Sequence, residues 1–294
     1  MSSGDEQPPL RMAPREPADA LAQRIERENR ATVSQREFEL EGSLKPYRVG
    51  SVPYLNSVPL TRGLEEEVLF APPSELARLL QKDELDAALV SITEVLFSDR
   101  YDVLDGIAVA SLGEVKSVFL AHRRPLADVD VIHCDPSSLT SVNLLKVLLA
   151  EKGLKPRFET LASHAAARDV DFALLIGNPA IEFLRSSPPH AIWDLGAAWY
   201  ELTSLPFVYA VWALRRGVEN ERLKRLLREA RDFGMDTLDH IITHRTEFDL
   251  DFRKDYLGWH IHFHLGSDER RGIAKFVALL NQHGIAPARP PTFV

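Results

Sequence analysis

The sequence predicts an α/β protein with two lobes and a helical C-terminal section, and three observations support this fold class. From Tyr47 onward, short apolar runs alternate with amphipathic stretches of helical periodicity. Strands that alternate with helices of this length are typical of parallel sheets with helices on both faces. The last third of the chain contains two long, charged amphipathic stretches, residues 221–240 and 268–283. A chain of 294 residues is long enough for one large or two modest domains.

The predicted elements follow in chain order. Residues 1–45 carry charges every few positions and several prolines, which predicts a disordered or partly helical tail with a solvated helix over about 18–39. Residues 74–82 form a helix with Ser74 as its N-cap, and residues 138–151 form a second helix with one apolar side. The predicted strands are residues 47–52, 86–90, 117–121, 129–133, 172–176, 192–195 and 206–214.

Composition excludes several classes of protein. The longest apolar runs, such as residues 207–214, are far shorter than the ~20 residues that a membrane-spanning helix needs. Cys134 is the only cysteine, which excludes a fold built on disulfides. The formal net charge of −8 argues against a nucleic-acid binder, which needs basic side chains to neutralise phosphate. With no apolar secretory signal in residues 1–45, we expect a cytoplasmic globular protein.

Two loops rich in small polar side chains are candidate binding sites, because ligands of open α/β sheets bind beyond the carboxyl ends of strands. The first, residues 51–57, follows the opening strand; a plain proline-containing turn is the alternative interpretation. The second, residues 135–141, leads into a predicted helix. Its four hydroxyls lie where unpaired backbone N–H groups and the helix dipole favour an anion, although one of them is expected to cap the helix. The second loop therefore predicts a carboxylate or phosphate site without a metal or a lysine.

Metal and nucleophile chemistry is not predicted. His260, His262 and His264 alternate along the chain and would converge only on an extended strand. The flanking residues instead predict a helix–loop–helix junction, in which this spacing scatters the imidazoles. Cys134 follows a buried strand and is expected to be a small core residue. The sequence contains neither a GxxxxGK[ST] phosphate loop nor a Gly-x-Ser-x-Gly elbow.

Six short motifs stand in a fixed order between Tyr47 and Gly284, and together they resemble a known family. The motifs are residues 48–56 followed by Pro59-Leu60, 85–91, 135–142, 173–180, 194–196 with Trp199, and 205–213. In this order and spacing, the sequence resembles the chorismate dehydratase family of the futalosine route to menaquinone.

The resemblance implies a periplasmic-binding-protein-like fold of type II, with two α/β lobes and a ligand cleft between them. Lobe 1 is expected to comprise residues 46–122 and 209–294, and lobe 2 residues 123–208. The family converts chorismate to 3-[(1-carboxyvinyl)oxy]benzoate and water without a cofactor or metal. Because the ring becomes aromatic, the reaction is downhill, and the protein needs mainly to orient the substrate, exclude water and assist two proton movements.

The resemblance also implies site residues. Asn56 and Ser91 are the implied catalytic residues, and the Asn56 amide is expected to bond the departing hydroxyl or hold the ring. The group that accepts the C3 proton stays open, with the enolpyruvyl carboxylate of the substrate as one candidate. The implied substrate-binding residues are Ser51, Tyr54, Ser138, Thr140, Ser141 and Asn178, of which Ser138, Thr140 and Ser141 would hold a carboxylate at the helix N-terminus.

Three departures from the family pattern keep an alternative open. Leu139 stands where arginine is common, Asn178 where aspartate is frequent, and Ser204 where glycine precedes Leu-Pro-Phe. The alternative is a non-catalytic or diverged binding protein for a small aromatic carboxylate. Either hypothesis implies a small-molecule partner, no nucleic acid and no membrane, and leaves a homodimer open.

Overall fold

The computed structural model describes residues 18–39, 42–137, 139–218 and 220–294, and within them the chain forms two β-sheets covered by helices. The strands are β1 Val49–Ser51, β2 Val68–Phe70, β3 Ala87–Ser91, β4 Tyr101–Ser111, β5 Val118–His122, β6 Val131–Cys134, β7 Arg157–Thr160, β8 Phe172–Ile176, β9 Ala191–Asp194, β10 Phe207–Arg215 and β11 His262–Leu265. The α-helices are α1 Ala18–Glu39, α2 Pro73–Gln81, α3 Ile92–Leu96, α4 Leu139–Glu151, α5 Gly177–Arg185, α6 Leu195–Thr203, α7 Glu221–Asp236, α8 Leu238–His244, α9 Leu250–Asp255 and α10 Ser267–Gln282. A 3-10 helix spans Leu55–Leu60 and a π-helical turn spans Tyr256–His260.

The two sheets share a mixed topology. The first sheet has the order β11-β4-β10-β3-β1-β2, and β10 runs antiparallel to both of its neighbours. The second has the order β7-β6-β8-β5-β9, and β5 likewise runs antiparallel to both neighbours. The sequence predicted parallel sheets, whereas both sheets contain antiparallel pairs of strands. In each sheet, the strand that has just crossed from the other sheet is antiparallel to both of its neighbours, and in the first sheet β4 also pairs antiparallel with β11.

These crossings correct the expected lobe boundaries. β5 belongs to the second sheet, so the chain changes sheet between β4 and β5 rather than after His122. The return leads into β10, which begins at Phe207, so a boundary at 208/209 falls inside a strand. The apolar pattern of a crossing strand does not reveal its sheet, because such a strand is buried in either one.

Two C-terminal predictions also differ from the structure. The single helix predicted over 221–240 is two helices, α7 and α8, which meet at Thr237. The predicted helix–loop–helix junction around the histidines is wrong: the π-helical turn is followed by β11, which pairs antiparallel with β4. Residues 262–265 alternate between more and less exposed side chains, as a strand at a sheet surface does.

Packing in the core holds the segment between β9 and β10, where the chain returns from the second sheet to the first (the return crossing). Trp199 on α6 is fully buried, and its indole N–H donates to the Pro206 carbonyl at 3.1 Å. The Trp199 ring packs edge-on against Phe207 and Phe276. Gly272 on α10 lies so close to the Pro206 carbonyl that a Cβ there would overlap it. None of the helices in the described part of the chain has the length and hydropathy of a membrane-spanning segment.

Candidate functional site

A cleft between the two sheets contains about 650 Å³ of empty space, part of it open to solvent. Among the described residues that line it, none carries a charged side chain, and most are apolar. The polar lining comes from Tyr54, Asn56, Ser91 and Tyr209 on the side of the first sheet and from Ser117, Ser137, Thr140 and Ser141 on the other side.

The loop after β1 presents Tyr54 and Asn56 to the cleft because Ser57 folds it back on itself. The Ser57 hydroxyl, which is buried, lies 2.6 Å from the Val52 carbonyl oxygen and donates to it. The 3-10 helix Leu55–Leu60 begins at this point and carries Asn56. Ser51 precedes the loop in β1; it is fully buried and does not line the cleft.

A buried phenol lies beside the Asn56 side chain. Tyr256 lies in the π-helical turn, and its hydroxyl donates to Ser117 Oγ at 2.7 Å. The Asn56 side chain is close enough to this hydroxyl to lower its pKa, although burial has the larger, opposite effect. Burial raises the pKa of Tyr256, so the phenol stays neutral at physiological pH. Sequence analysis missed Tyr256 and Ser117, because only the folded chain brings residues 56, 117 and 256 together.

Ser91 and Thr140 join the two sides of the cleft at the start of α4. The backbone N–H of Thr140 donates to Ser91 Oγ at 3.1 Å, and the two hydroxyls also bond each other. Thr93 Oγ1 lies 2.9 Å from Ser91 Oγ and 3.0 Å from Thr140 Oγ1, which completes a triangle of hydroxyls. Ser91 Oγ therefore takes the acceptor position that a carboxylate oxygen can take at a helix N-terminus.

Asp135 orders the loop that precedes α4. Its Oδ1 accepts from the backbone N–H of Ser137 at 2.9 Å and from the Ser137 hydroxyl at 2.6 Å. Its Oδ2 lies 2.8 Å from Nε2 of His164. Ser137 lies close enough to the Tyr54 hydroxyl to affect its pKa, so the two polar loops meet here, and burial raises the pKa of Tyr54. Ser138, a predicted carboxylate ligand, lies outside the described residues.

The start of α5 contacts the first loop, and Gly177 at its first position also lines the cleft. Asn178 Oδ1 accepts from the backbone N–H of Leu55 at 3.3 Å, and Asn178 does not line the cleft. Gly177 has a φ of +61°, and a Cβ at this position would lie 3.1 Å from the Tyr54 ring. The two residues thus position Tyr54 and the 3-10 helix.

The structure brings together most of the predicted site. Asn56 and Ser91 line the cleft with three of the predicted binding residues, Tyr54, Thr140 and Ser141, while Ser51 and Asn178 lie behind its lining. Leu139, where the resemblance expects arginine, also lines the cleft and is partly exposed. Neutral donors and the N-terminus of α4 are therefore what this cleft offers an anion.

Known proteins are similar in sequence to this chain over most of its length. A family model described as menaquinone biosynthesis matches residues 47–282. The chorismate dehydratase of Thermus thermophilus is 36% identical over 263 residues, covering 81% of this chain and 96% of that protein. The chorismate dehydratase of Campylobacter jejuni is 26% identical over 230 residues, covering 76% of this chain and 89% of that protein.

Solved structures confirm the expected fold class. A protein of Archaeoglobus fulgidus has a TM-score of 0.66 at 19% identity and covers 81% of this chain and 98% of its own. The periplasmic aliphatic sulphonate-binding protein SsuA of Escherichia coli has a TM-score of 0.56 at 14% identity, covering 84% of this chain and 93% of its own. The fold is that of periplasmic binding proteins, with two α/β lobes and a cleft between them.

Proposed function

The chain belongs to the menaquinone-biosynthesis family, and we propose that it is a lyase that removes water from chorismate to give 3-[(1-carboxyvinyl)oxy]benzoate in the futalosine route. The observation that carries this proposal is the uncharged cleft that sets Asn56 opposite the hydroxyl-rich start of α4. A non-catalytic binding protein is not favoured, because the relatives matched over most of the chain are chorismate dehydratases, whereas the solute-binding neighbour shares the fold alone.

In this proposal, the start of α4 binds one carboxylate of chorismate. A carboxylate oxygen replaces Ser91 Oγ at the backbone N–H of Thr140, and the hydroxyls of Ser91, Thr140 and Ser141 donate to it. The N-terminal dipole of α4 supplies the positive potential that arginine would otherwise supply at position 139. The hydrogen bonds that now join Ser91 and Thr140 across the cleft support this exchange, since the same donors become available to the ligand.

The elimination removes the C3 proton and the C4 hydroxyl, which leave together as water as the ring becomes aromatic. Asn56 donates from its amide to the departing hydroxyl, and Tyr256, which bonds Ser117, lies beside that amide. The lining offers no carboxylate or imidazole among its described residues, so we assign acceptance of the C3 proton to the enolpyruvyl carboxylate of the substrate, which passes it on to the departing hydroxyl so that water leaves. The protein then contributes mainly orientation and exclusion of water.

The cellular setting forms part of the same proposal. We place the protein in the cytoplasm, where an enzyme of quinone biosynthesis meets a small anionic metabolite; the single, buried thiol of Cys134 is compatible with this reducing compartment. Cell fractionation with an antibody against the chain tests the location. Size-exclusion chromatography with light scattering tests whether the chain forms a homodimer.

The decisive experiment is incubation of the purified protein with chorismate, followed by mass spectrometry. The proposal expects a product that has lost one water and shows the absorbance of a substituted benzoate. Binding of chorismate without any product, measured by a thermal shift, would instead establish the binding-protein alternative. Heat-treated protein is the control for spontaneous breakdown of chorismate.

A further inference from the structure

His262 and His264 lie side by side on the edge strand of the first sheet. Because alternate residues of a strand point to the same side, β11 brings their rings together, with centroids 4.4 Å apart and planes 29° from parallel. His260 ends the π-helical turn before the strand, and its ring nitrogens contact Asp255 and the Glu114 carbonyl instead. The strand thus separates two histidines of the alternating motif from the third.

A buried carboxylate faces this pair. Glu269 lies in the first turn of α10, and its side chain is only 5% exposed. Its Oε2 accepts from the backbone N–H of Gly266 at 2.7 Å. Its Oε1 lies 3.0 Å from Nε2 of His262 and 3.4 Å from Nε2 of His264. One carboxylate oxygen therefore caps the helix, and the other is aimed at both imidazoles.

We propose that His262, His264 and Glu269 bind a divalent transition-metal ion, with Zn²⁺ as the best match. The three ligand atoms all lie within 4.8 Å of one another. With zinc–ligand bonds of about 2.0–2.1 Å, atoms of a tetrahedral site are roughly 3.3 Å apart, close to the two nitrogen–oxygen separations found here. Two imidazoles and a carboxylate are a common zinc ligand set, and water supplies the fourth ligand.

The surroundings give the proposed ion a structural role. β11 is an edge strand of the first sheet, and α10 follows it after Gly266. An ion held by both elements fastens the edge strand to the helix that packs against the return crossing at Pro206. None of the three ligands lines the cleft.

The test is titration of Zn²⁺ into the chelator-treated, desalted full chain by calorimetry, with Co²⁺ as a spectroscopic probe. We expect one ion per chain, a tetrahedral Co²⁺ absorption spectrum and a higher thermal midpoint with Zn²⁺. His264→Ala removes an exposed ligand and is expected to weaken binding at least about tenfold. Glu269→Gln is the second variant. It removes the negative charge of the third ligand, and its amide oxygen can still accept the hydrogen bond from the Gly266 N–H.

A second histidine pair provides the control. His240 and His244 on α8 have ring centroids 3.9 Å apart and form a second candidate pair of metal ligands. The double variant His240→Ala/His244→Ala should keep the Zn²⁺ affinity and the Co²⁺ spectrum of the unaltered chain. Loss of binding in this control but not in His264→Ala would overturn the proposal, and so would the absence of binding in the unaltered chain.

Discussion

The two sides of the cleft differ in what they offer a ligand. On the first-sheet side, the Asn56 amide lies beside a buried phenol whose hydroxyl donates to Ser117. On the opposite side, Thr140 and Ser141 present hydroxyls at the start of α4. A rigid amide suits the reacting centre, whereas a helix N-terminus suits a charged anchor that does not react. In the proposed mechanism, Asn56 on the first-sheet side serves the chemistry, whereas the start of α4, joined by Ser91 from the first-sheet side, binds the charge.

Asn56→Ala provides the strongest test of this division. Removing the amide deletes a donor that acts on the departing hydroxyl, so kcat should fall about 10²–10³-fold. KM should change little, because the carboxylate anchor on the other lobe is intact. Steady-state kinetics with chorismate measure both parameters, and circular dichroism checks the fold.

Asn178→Ala is the matched control for the loss of an asparagine side chain. Asn178 contacts the backbone of Leu55 from behind the cleft lining, so its loss should change kcat much less than the loss of Asn56. Comparable losses in the two variants would mean that positioning of the 3-10 helix, rather than the Asn56 amide, limits the reaction.

Ser141→Ala tests the opposite lobe. A hydrogen bond to a charged group contributes about 1.5–3 kcal/mol, so KM should rise about 10–100-fold if Ser141 donates to a carboxylate. The value of kcat should stay within about threefold, because the lost contact is equally strong in the ground and transition states. A fall in kcat at constant KM would contradict the assignment of this side to binding. Ser163→Ala, at an exposed serine outside the cleft lining, is the control.

Features formed by residues that are adjacent in the sequence could be predicted, whereas features that depend on long-range contacts could not. β8 was predicted over the residues it occupies, because its apolar run ends at Gly177, and the hydroxyl cluster at α4 was visible because its residues are adjacent in sequence. No strand was predicted over β4, because its apolar pattern is interrupted by Asp105 and Gly106. β11 was mistaken for a loop because four residues carry little periodicity, and its pairing with β4 is long-range.

The candidate site shows the same difference between residues that are adjacent in sequence and residues that only the fold brings together. Asn56 belongs to a contiguous motif, but Tyr256 lies 200 residues further along the chain, in a turn with no chemical signature of its own. Ser51 belongs to the same motif as Asn56 and is nevertheless buried behind the lining. A motif identifies a loop, whereas the direction of each side chain depends on backbone geometry such as the Ser57 hydrogen bond.

Tyr256→Phe sharpens the assignment of the first-sheet side with a smaller effect. The substitution keeps the buried ring and removes the hydroxyl that bonds Ser117 and lies beside Asn56. One net hydrogen bond contributes about 1 kcal/mol, which corresponds to a fall in kcat of about fivefold. KM should be unchanged, and a change confined to KM would show that Tyr256 serves binding. Tyr200→Phe, at an exposed tyrosine on α6, controls for the loss of a hydroxyl elsewhere.

The smallest expected effect is that of pH, because we expect kcat/KM not to change with it near neutrality. The titratable side chains among the described lining residues are Tyr54 and Tyr209, and burial raises the pKa of both above the ordinary value of 10.0. Both phenols are therefore neutral from about pH 6 to 9, and log kcat/KM should be flat over this range. An acidic limb near neutrality would contradict substrate-assisted proton removal. Its loss in His164→Ala would then assign the proton to the imidazole bound to Asp135, just outside the lining.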